Sequence, residues 1–451
     1  MGHIQSGRDE KFPRQLAVRI LTRVLSQHEP LDEAFSQLLA ELSVHSKSAS
    51  NAQTIAWLQD VCSGTLRWKG RLDAIIDAAA LRKKPSGWLR KCLLIAAYQL
   101  VVQDRVHPGA VVSETVSEIK SREGEAPARF ANACLRKIAS HAKEWRAQSF
   151  PEQEYSEHSW ASLPEWLWKK LKYQHGLEWA KAYAQASLER PFLWIRVQDA
   201  QWKPDQNVSI TPGLKTGWIH AGPLLGSWRV EEGGAVDQLP GFSDGKFIVQ
   251  DISSQLLIAE ATCAIRKCRA EGTLALQSES YQLQALELCA APGGKSVGMA
   301  WNGVQVFSTD RLKHRVPLLQ QTISRVAPQI QFIPWDQLEA LGAKEWVWLD
   351  APCSGTGIIR RHPDVRWLRG EKELYGLQKT QEELFRKAWD HVLPSGFLVY
   401  SVCSVLKEEG PGLIERIGVQ NQVLRSWLLC PQDPPYGDGF WAVLLQKCSG
   451  A

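Results

Sequence analysis

Glu287-Leu288-Cys289-Ala290-Ala291-Pro292-Gly293-Gly294-Lys295 ends one short apolar run and opens a helical segment. A buried strand that closes on paired glycines and turns at once into a helix reads as a βα turn of a doubly wound parallel sheet. The glycines let the backbone approach a ligand closely, and the helix start offers N–H groups without partners in the chain. Asp310 lies twenty-one residues beyond Cys289, at the end of the next apolar run, Val304–Thr309. That is the spacing expected of a carboxylate that grips ribose hydroxyls. Asp336 follows a third run, Gln331–Pro334, where it can reach an adenine edge. Turn, acid and strand order together predict a site for a nucleoside-bearing ligand. The stretch is not Gly-x-x-x-x-Gly-Lys-Ser/Thr, so it does not read as a triphosphate cradle.

Working outward, the apolar runs Trp346–Asp350 and Phe397–Tyr400 again alternate with helical segments, and Phe440–Gln446 forms a last strand after the turn Tyr436–Gly439. Residues 246–451 are therefore expected to form a Rossmann-like α/β domain. Arg266–Leu283 is polar and patternless and reads as a loop. Residues 148–245 carry recurrent prolines with Gly and Trp, the texture of a small linking α+β domain. Residues 1–147 read as an all-α domain. Ala17, Ile20, Leu21, Val24 and Leu25 share one helical face behind Pro13, and Pro30 ends that helix. Further helices are expected over Asn51–Trp68, Gly87–Gln103 and Pro108–Ser121, and after Pro127.

The 451 residues are 44% hydrophobic and 22% charged, a globular composition. No apolar run reaches the ~18 residues of a membrane span. The N-terminus lacks the apolar core of a secretory signal, although Met1-Gly2 with Ser6 fits a loose acylation pattern. Ten scattered cysteines read as free thiols of a reducing cytoplasm, and Cys263 with Cys268 has no second pair to make a zinc site, so no metal is expected. Residues 1–150 hold 22 Lys/Arg against 15 Asp/Glu, so the front third carries the net positive charge and favours a polyanion.

Two further constellations carry chemistry. Asp350-Ala351-Pro352-Cys353-Ser354-Gly355-Thr356-Gly357 and Tyr400-Ser401-Val402-Cys403-Ser404 each follow a buried strand, so two thiols reach adjacent strand ends beside a carboxylate and the ligand turn. Carbon 5 of cytosine is too poor a nucleophile to take a methyl group directly. A thiolate adding at carbon 6 makes it enamine-like, and a carboxylate at the N3/N4 edge stabilises the adduct. One Asp and two Cys suit that scheme better than they suit a hydrolase.

Cys289–Lys295, Asp350–Gly357, Arg360-Arg361-His362-Pro363-Asp364-Val365-Arg366-Trp367 and Cys403-Ser404-Val405-Leu406 resemble the NOL/NOP/Sun family of RNA cytosine-5 methyltransferases, and most nearly its bacterial Sun/Fmu-type branch acting on 16S ribosomal RNA. The front third resembles that branch's NusB-like RNA-binding domain, including Gly64-Thr65-Leu66-Arg67. The resemblance implies Cys403 as the nucleophile, with Cys353 assisting product release and Asp350 and Lys295 beside them. It assigns Cys289, Ala290, Ala291, Pro292, Gly293, Gly294, Lys295, Asp310, Asp336 and Asp350 to S-adenosylmethionine. Arg360, Arg361 and Arg366, with Arg369, are expected to meet the RNA backbone. Arg82-Lys83-Lys84 and Arg90-Lys91 either contact phosphates or solvate helix ends. Five positions depart from the family pattern: Gln198, Gln337, Val402, and Lys407 and Gly410 on either side of Glu408-Glu409. The expectation is a cytoplasmic, monomeric enzyme methylating small-subunit ribosomal RNA. A transfer-RNA enzyme and a non-catalytic ribosome-assembly factor stand as alternatives.

Overall fold

In a computed structural model the described residues are 13–45, 52–80, 84–103, 106–147, 150, 156–202, 217–232, 236–273 and 282–448. The N-terminal acylation pattern and Arg82-Lys83 lie outside them. The chain forms two compact units, one of residues 1–189 with 359–371, the other of 190–358 with 372–451.

The first unit is helical. Its early helices are α1 (Pro13–Gln27), α2 (Leu31–His45), α3 (Ala52–Ala79), α4 (Gly87–Val101), α5 (Pro108–Glu123) and α6 (Glu125–Ser140). The α1 stripe read from the sequence is buried at Ala17, Ile20, Leu21 and Val24. It packs with Leu66 and Leu72 of α3 and with the apolar length of α4 from Leu93 to Ala97. Arg90 is held by Asp73 and Asp77, so its charge is neutralised within the unit.

The units do not part at the expected boundaries of 147/148 and 245/246. Helices over residues 157–188 pack onto α3: Gly70 N donates to Ser162 Oγ at 2.9 Å and Trp68 Nε1 to the Leu188 carbonyl at 3.0 Å, with Trp160 in the same core. Ile359–Glu371, read from the sequence as part of the catalytic domain, also belongs here. Arg366 is 1% exposed and donates to the carbonyls of Arg67, Ser162, Ser187 and Ile359 at 2.9–3.1 Å. Asp364 accepts from Leu31 N, and Trp367 Nε1 donates to the Leu66 carbonyl.

The second unit holds two sheets. Strands β1 (Leu193–Val197), β2 (Gly217–Ala221), β3 (Ser227–Glu232) and β4 (Phe247–Val249) form an antiparallel sheet in the order β2-β3-β1-β4. The large sheet contains β5 (Gln284–Leu288), β6 (Gln305–Thr309), β7 (Gln331–Phe332), β8 (Lys344–Asp350), β9 (Val392–Val402), β10 (Val423–Leu429) and β11 (Phe440–Gln446). Its order is β10-β11-β9-β8-β5-β6-β7, parallel from β9 to β7, with β11 reversed. This is the doubly wound, Rossmann-like sheet expected. Both faces are apolar and covered, as parallel strands require. The expected loop at Arg266–Leu283 is a correction: helix α7 (Ile252–Cys268) runs into it and a π turn follows at Arg269–Thr273, because Ile258, Ala261 and Ile265 continue a buried stripe. Residues 274–281 lie outside the description.

Candidate active site

The site is built at the carboxyl ends of β5, β6, β8 and β9. After β5, Cys289 and Gly293 take left-handed backbone angles (φ 59° and 104°), and helix α8 (Gly294–Trp301) starts directly behind them. The turn is fixed from the neighbouring strand. Asp310 Oδ2 accepts from Ala291 N at 3.0 Å and Oδ1 from Leu312 N at 2.9 Å, while Arg315 donates to the Ala291 carbonyl. An added Cβ on Gly294 would meet nothing nearer than Gln250 Nε2 at 3.5 Å, so that side of the loop is open. Beneath the turn, Ser296 Oγ donates to Glu287 and lies 2.6 Å from Ser308 Oγ. Burial pushes the Glu287 carboxyl up to about 8, against the opposing pull of Ser296 and Lys295. Burial, reinforced by Asp310, pushes the Cys289 thiol up to about 12, so this cysteine is an inert part of the loop.

Asp350 ends β8 directly opposite Ser401 of β9. Its Oδ2 accepts from Lys295 Nζ at 2.6 Å and its Oδ1 from Ser401 Oγ at 2.8 Å. Ser401 is oriented in turn by Trp348 Nε1 at 2.9 Å. Burial alone would lower the Lys295 pKa, but the charge and hydrogen bond of Asp350 outweigh it and hold the ammonium above its ordinary value. Lys295 Nζ also lies 5.2 Å from the centre of the Phe440 ring. Cys353 Sγ and Cys403 Sγ are 3.2 Å apart, both half-buried. Their mutual hydrogen bond and then burial push the Cys353 thiol well above the ordinary cysteine range.

Lys295, Asp350, Cys353 and Cys403 thus fall into one group joined by hydrogen bonds and strand register. Asp336 is exposed at the end of β7, the edge of the sheet. The arginine reading needs correction. Arg366 and Arg360 are 1% and 2% exposed, and the Arg366 guanidinium is turned to carbonyls of the helical unit, so neither meets a nucleic-acid backbone. Arg361 is half-buried and Arg369 exposed. Sequence reasoning did not single out Trp348, Ser401 or Glu409 as supports. The period-two placement of Ser401 ahead of Cys403 was the available signal for one of them. Among the described residues no group of three or more His, Cys, Asp or Glu gathers as a metal site, and no helix is long and apolar enough to cross a membrane.

A doubly wound sheet with this turn and this acid order is an architecture that binds a nucleoside-bearing ligand at the carboxyl ends of its strands. Residues 273–431 match the family described as 16S rRNA methyltransferase RsmB/F, and residues 12–140 match the NusB family. The chain is 28% identical over 407 residues to ribosomal RNA small subunit methyltransferase B of Citrobacter koseri, and 29% identical over 415 residues to that of Erwinia tasmaniensis. Each alignment covers 88% of this chain and 87% of the relative. The crystal structure of PH0851 shares the fold, with a TM-score of 0.67 and 21% identity over 97% of this chain and 99% of that one. A NusB-like domain thus stands in front of an RsmB/F-type methyltransferase domain, in a chain similar over most of its length to ribosomal RNA small subunit methyltransferases B.

Proposed function

We propose that this protein methylates carbon 5 of a cytosine in 16S ribosomal RNA, drawing the methyl group from S-adenosylmethionine and passing through a covalent Cys403 adduct. The observation that carries the reading is the pair of sulfurs 3.2 Å apart at the ends of adjacent strands, next to the Lys295–Asp350 ion pair. The donor set suits the methyl donor. The open turn Cys289–Gly294 and the start of α8 present backbone N–H groups, and the carboxylates of Asp310, Asp336 and Asp350 end three strands of the same sheet. When bound there, the sulfonium supplies an electrophilic methyl group.

The chain's own residues do the remainder. Cys403 as thiolate adds to carbon 6, which places the electron pair on carbon 5 for bond formation to the methyl carbon. Asp350, held by Lys295 and Ser401, faces the N3/N4 edge and stabilises the adduct. The carbon-5 proton then passes to water, its bonding pair restores the 5,6 double bond, and the bond from carbon 6 to Cys403 breaks. Cys353, kept as a thiol, hydrogen-bonds to the departing sulfur. The target base must stand outside a duplex, in a loop or flipped out. Exposed Arg369 and half-buried Arg361 remain as cations for the RNA backbone.

Labelled S-adenosylmethionine with unmodified small-subunit RNA provides the test. Label at a cytosine carbon 5 is expected from the intact protein and from none of the Cys403→Ala variant. Loss in Cys353→Ala alone would reverse the two thiols. Label on transfer RNA alone would move the substrate, and cofactor or RNA binding without transfer would favour an assembly factor.

A further inference from the structure

The Glu409 side chain is fully buried in the loop that follows Cys403. Its Oε1 accepts from Ser354 N at 2.8 Å and from Gln381 Nε2 at 3.0 Å, and its Oε2 accepts from the Ser354 hydroxyl. The Gln381 amide also donates to the Pro352 carbonyl at 2.9 Å. Pro352 and Ser354 are the two neighbours of Cys353. The Glu409–Gln381 pair therefore grips the backbone immediately before and immediately after that cysteine. The Glu409 carbonyl accepts from the Tyr400 hydroxyl at 2.8 Å, which ties the same residue to the end of β9, three positions ahead of Cys403. One buried carboxylate thus fastens the loop of one thiol to the strand and loop of the other.

We infer that Glu409 is a positioning residue that keeps the Cys353 sulfur against Cys403, with Gln381 as its relay. It touches neither the base nor the methyl donor and acts only through Cys353. The inference rests on the reading of Cys403 as nucleophile and Cys353 as release thiol. A carboxylate is the group suited to this place, because three donors converge on it and a carboxylate offers only acceptors. An amide there would set donor against donor. The Glu409 carboxylate beside it also opposes ionisation of Cys353, which helps keep it a hydrogen-bond donor to the sulfur that leaves.

The test compares the full-length protein with Glu409→Gln and with Gln381→Met, which keeps the bulk of the relay but removes its amide. Iodoacetamide labelling of each cysteine is followed by mass spectrometry from pH 6 to 9, with exposed Cys263 as the internal reference. Released from its clamp, Cys353 is expected to react about tenfold faster in both variants, the scale set by losing one hydrogen bond to a charged group. In Glu409→Gln alone its labelling curve is expected to move to lower pH, because only that variant removes the charge. With RNA and S-adenosylmethionine, both variants should accumulate denaturation-resistant RNA–protein adduct and lose kcat about tenfold at unchanged KM for RNA. Cys353 labelling within twofold of the parent in both variants would overturn the inference. So would faster labelling of the buried Cys62, Cys92 and Cys134 alongside it, which marks general unfolding. If the parent protein methylates no cytosine, the functional reading falls, while the labelling experiment still decides what Glu409 holds in place.

Discussion

Glu287 is a carboxyl group sealed under the cofactor turn, 1% exposed, with Ser296 as its donor. Its folded pKa of about 8 lies above the ordinary 4.5, so folding favours the protonated form. The stability this protonated form contributes is complete below pH 4.5 and is lost as pH rises toward 8. Urea unfolding across that window should show the parent falling more steeply than Glu287→Gln, with the two curves converging at the acid end. Lys295 poses the opposite case, a buried ammonium matched to Asp350. Lys295→Met should lower methyl transfer by about 10²-fold, the usual scale for removing one preorganised charge from a reacting centre, with the RNA dissociation constant unchanged. The departure at Gly410 also has a local cause. A Cβ there would lie 2.8 Å from the Trp441 ring, so the large indole and the absent side chain are a matched pair. Val402, the other departure beside the nucleophile, is buried on β9 opposite Trp441 and packs without a polar requirement.

At the scale of elements, buried apolar runs were the legible part. The strands at Ala285, Val304, Trp346, Phe397 and Phe440 announced themselves because strands covered on both faces, the four parallel ones and the reversed β11 alike, are nearly continuous in apolar residues. Strand β10 did not, since it lies at the sheet edge with most of its side chains exposed and reads like a polar connection. The helices of 157–188 fell in a stretch read as the linking domain, and what escaped was their packing onto α3 through Trp160, Ser162 and Leu188, contacts between residues far apart in the sequence. Among the site residues, the turn, both thiols and Asp350 could be found from motif and spacing, whereas Trp348, Gln381 and Glu409 come from positions that only the fold brings near. One element end can be tested directly. Asp251 caps α7 by accepting from Ser253 N at 2.9 Å, and the same oxygen accepts from Asp438 N at 2.8 Å in the turn before β11. Asp251→Ala should cost about 1–2 kcal/mol, read from the urea midpoint at unchanged slope.

At the scale of the whole molecule, the chain leaves the helical unit at residue 189 and returns to it for 359–371. The arginines of that segment looked like nucleic-acid ligands because sequence places them beside the active site, and only the fold shows that Arg366 is turned into four carbonyls. Residues 1–189 made alone lack this arginine. Their melting temperature should rise on adding the peptide 359–371, by mass action of a ligand for the folded state, and should not rise with the same peptide carrying Arg366→Met. In the intact chain Arg366→Met should cost roughly 3 kcal/mol or more, because buried acceptors lose their donor.

That returning segment has a consequence for biosynthesis. A ribosome delivers the front helices early but the piece that completes them only after β8 and the Cys353 loop have emerged. The nascent helical unit therefore waits, carbonyls uncapped, until most of the message has been read. A chain released before codon 359 leaves the Arg67, Ser162 and Ser187 carbonyls without their donor, so a truncated message makes a weaker front unit than the complete protein holds.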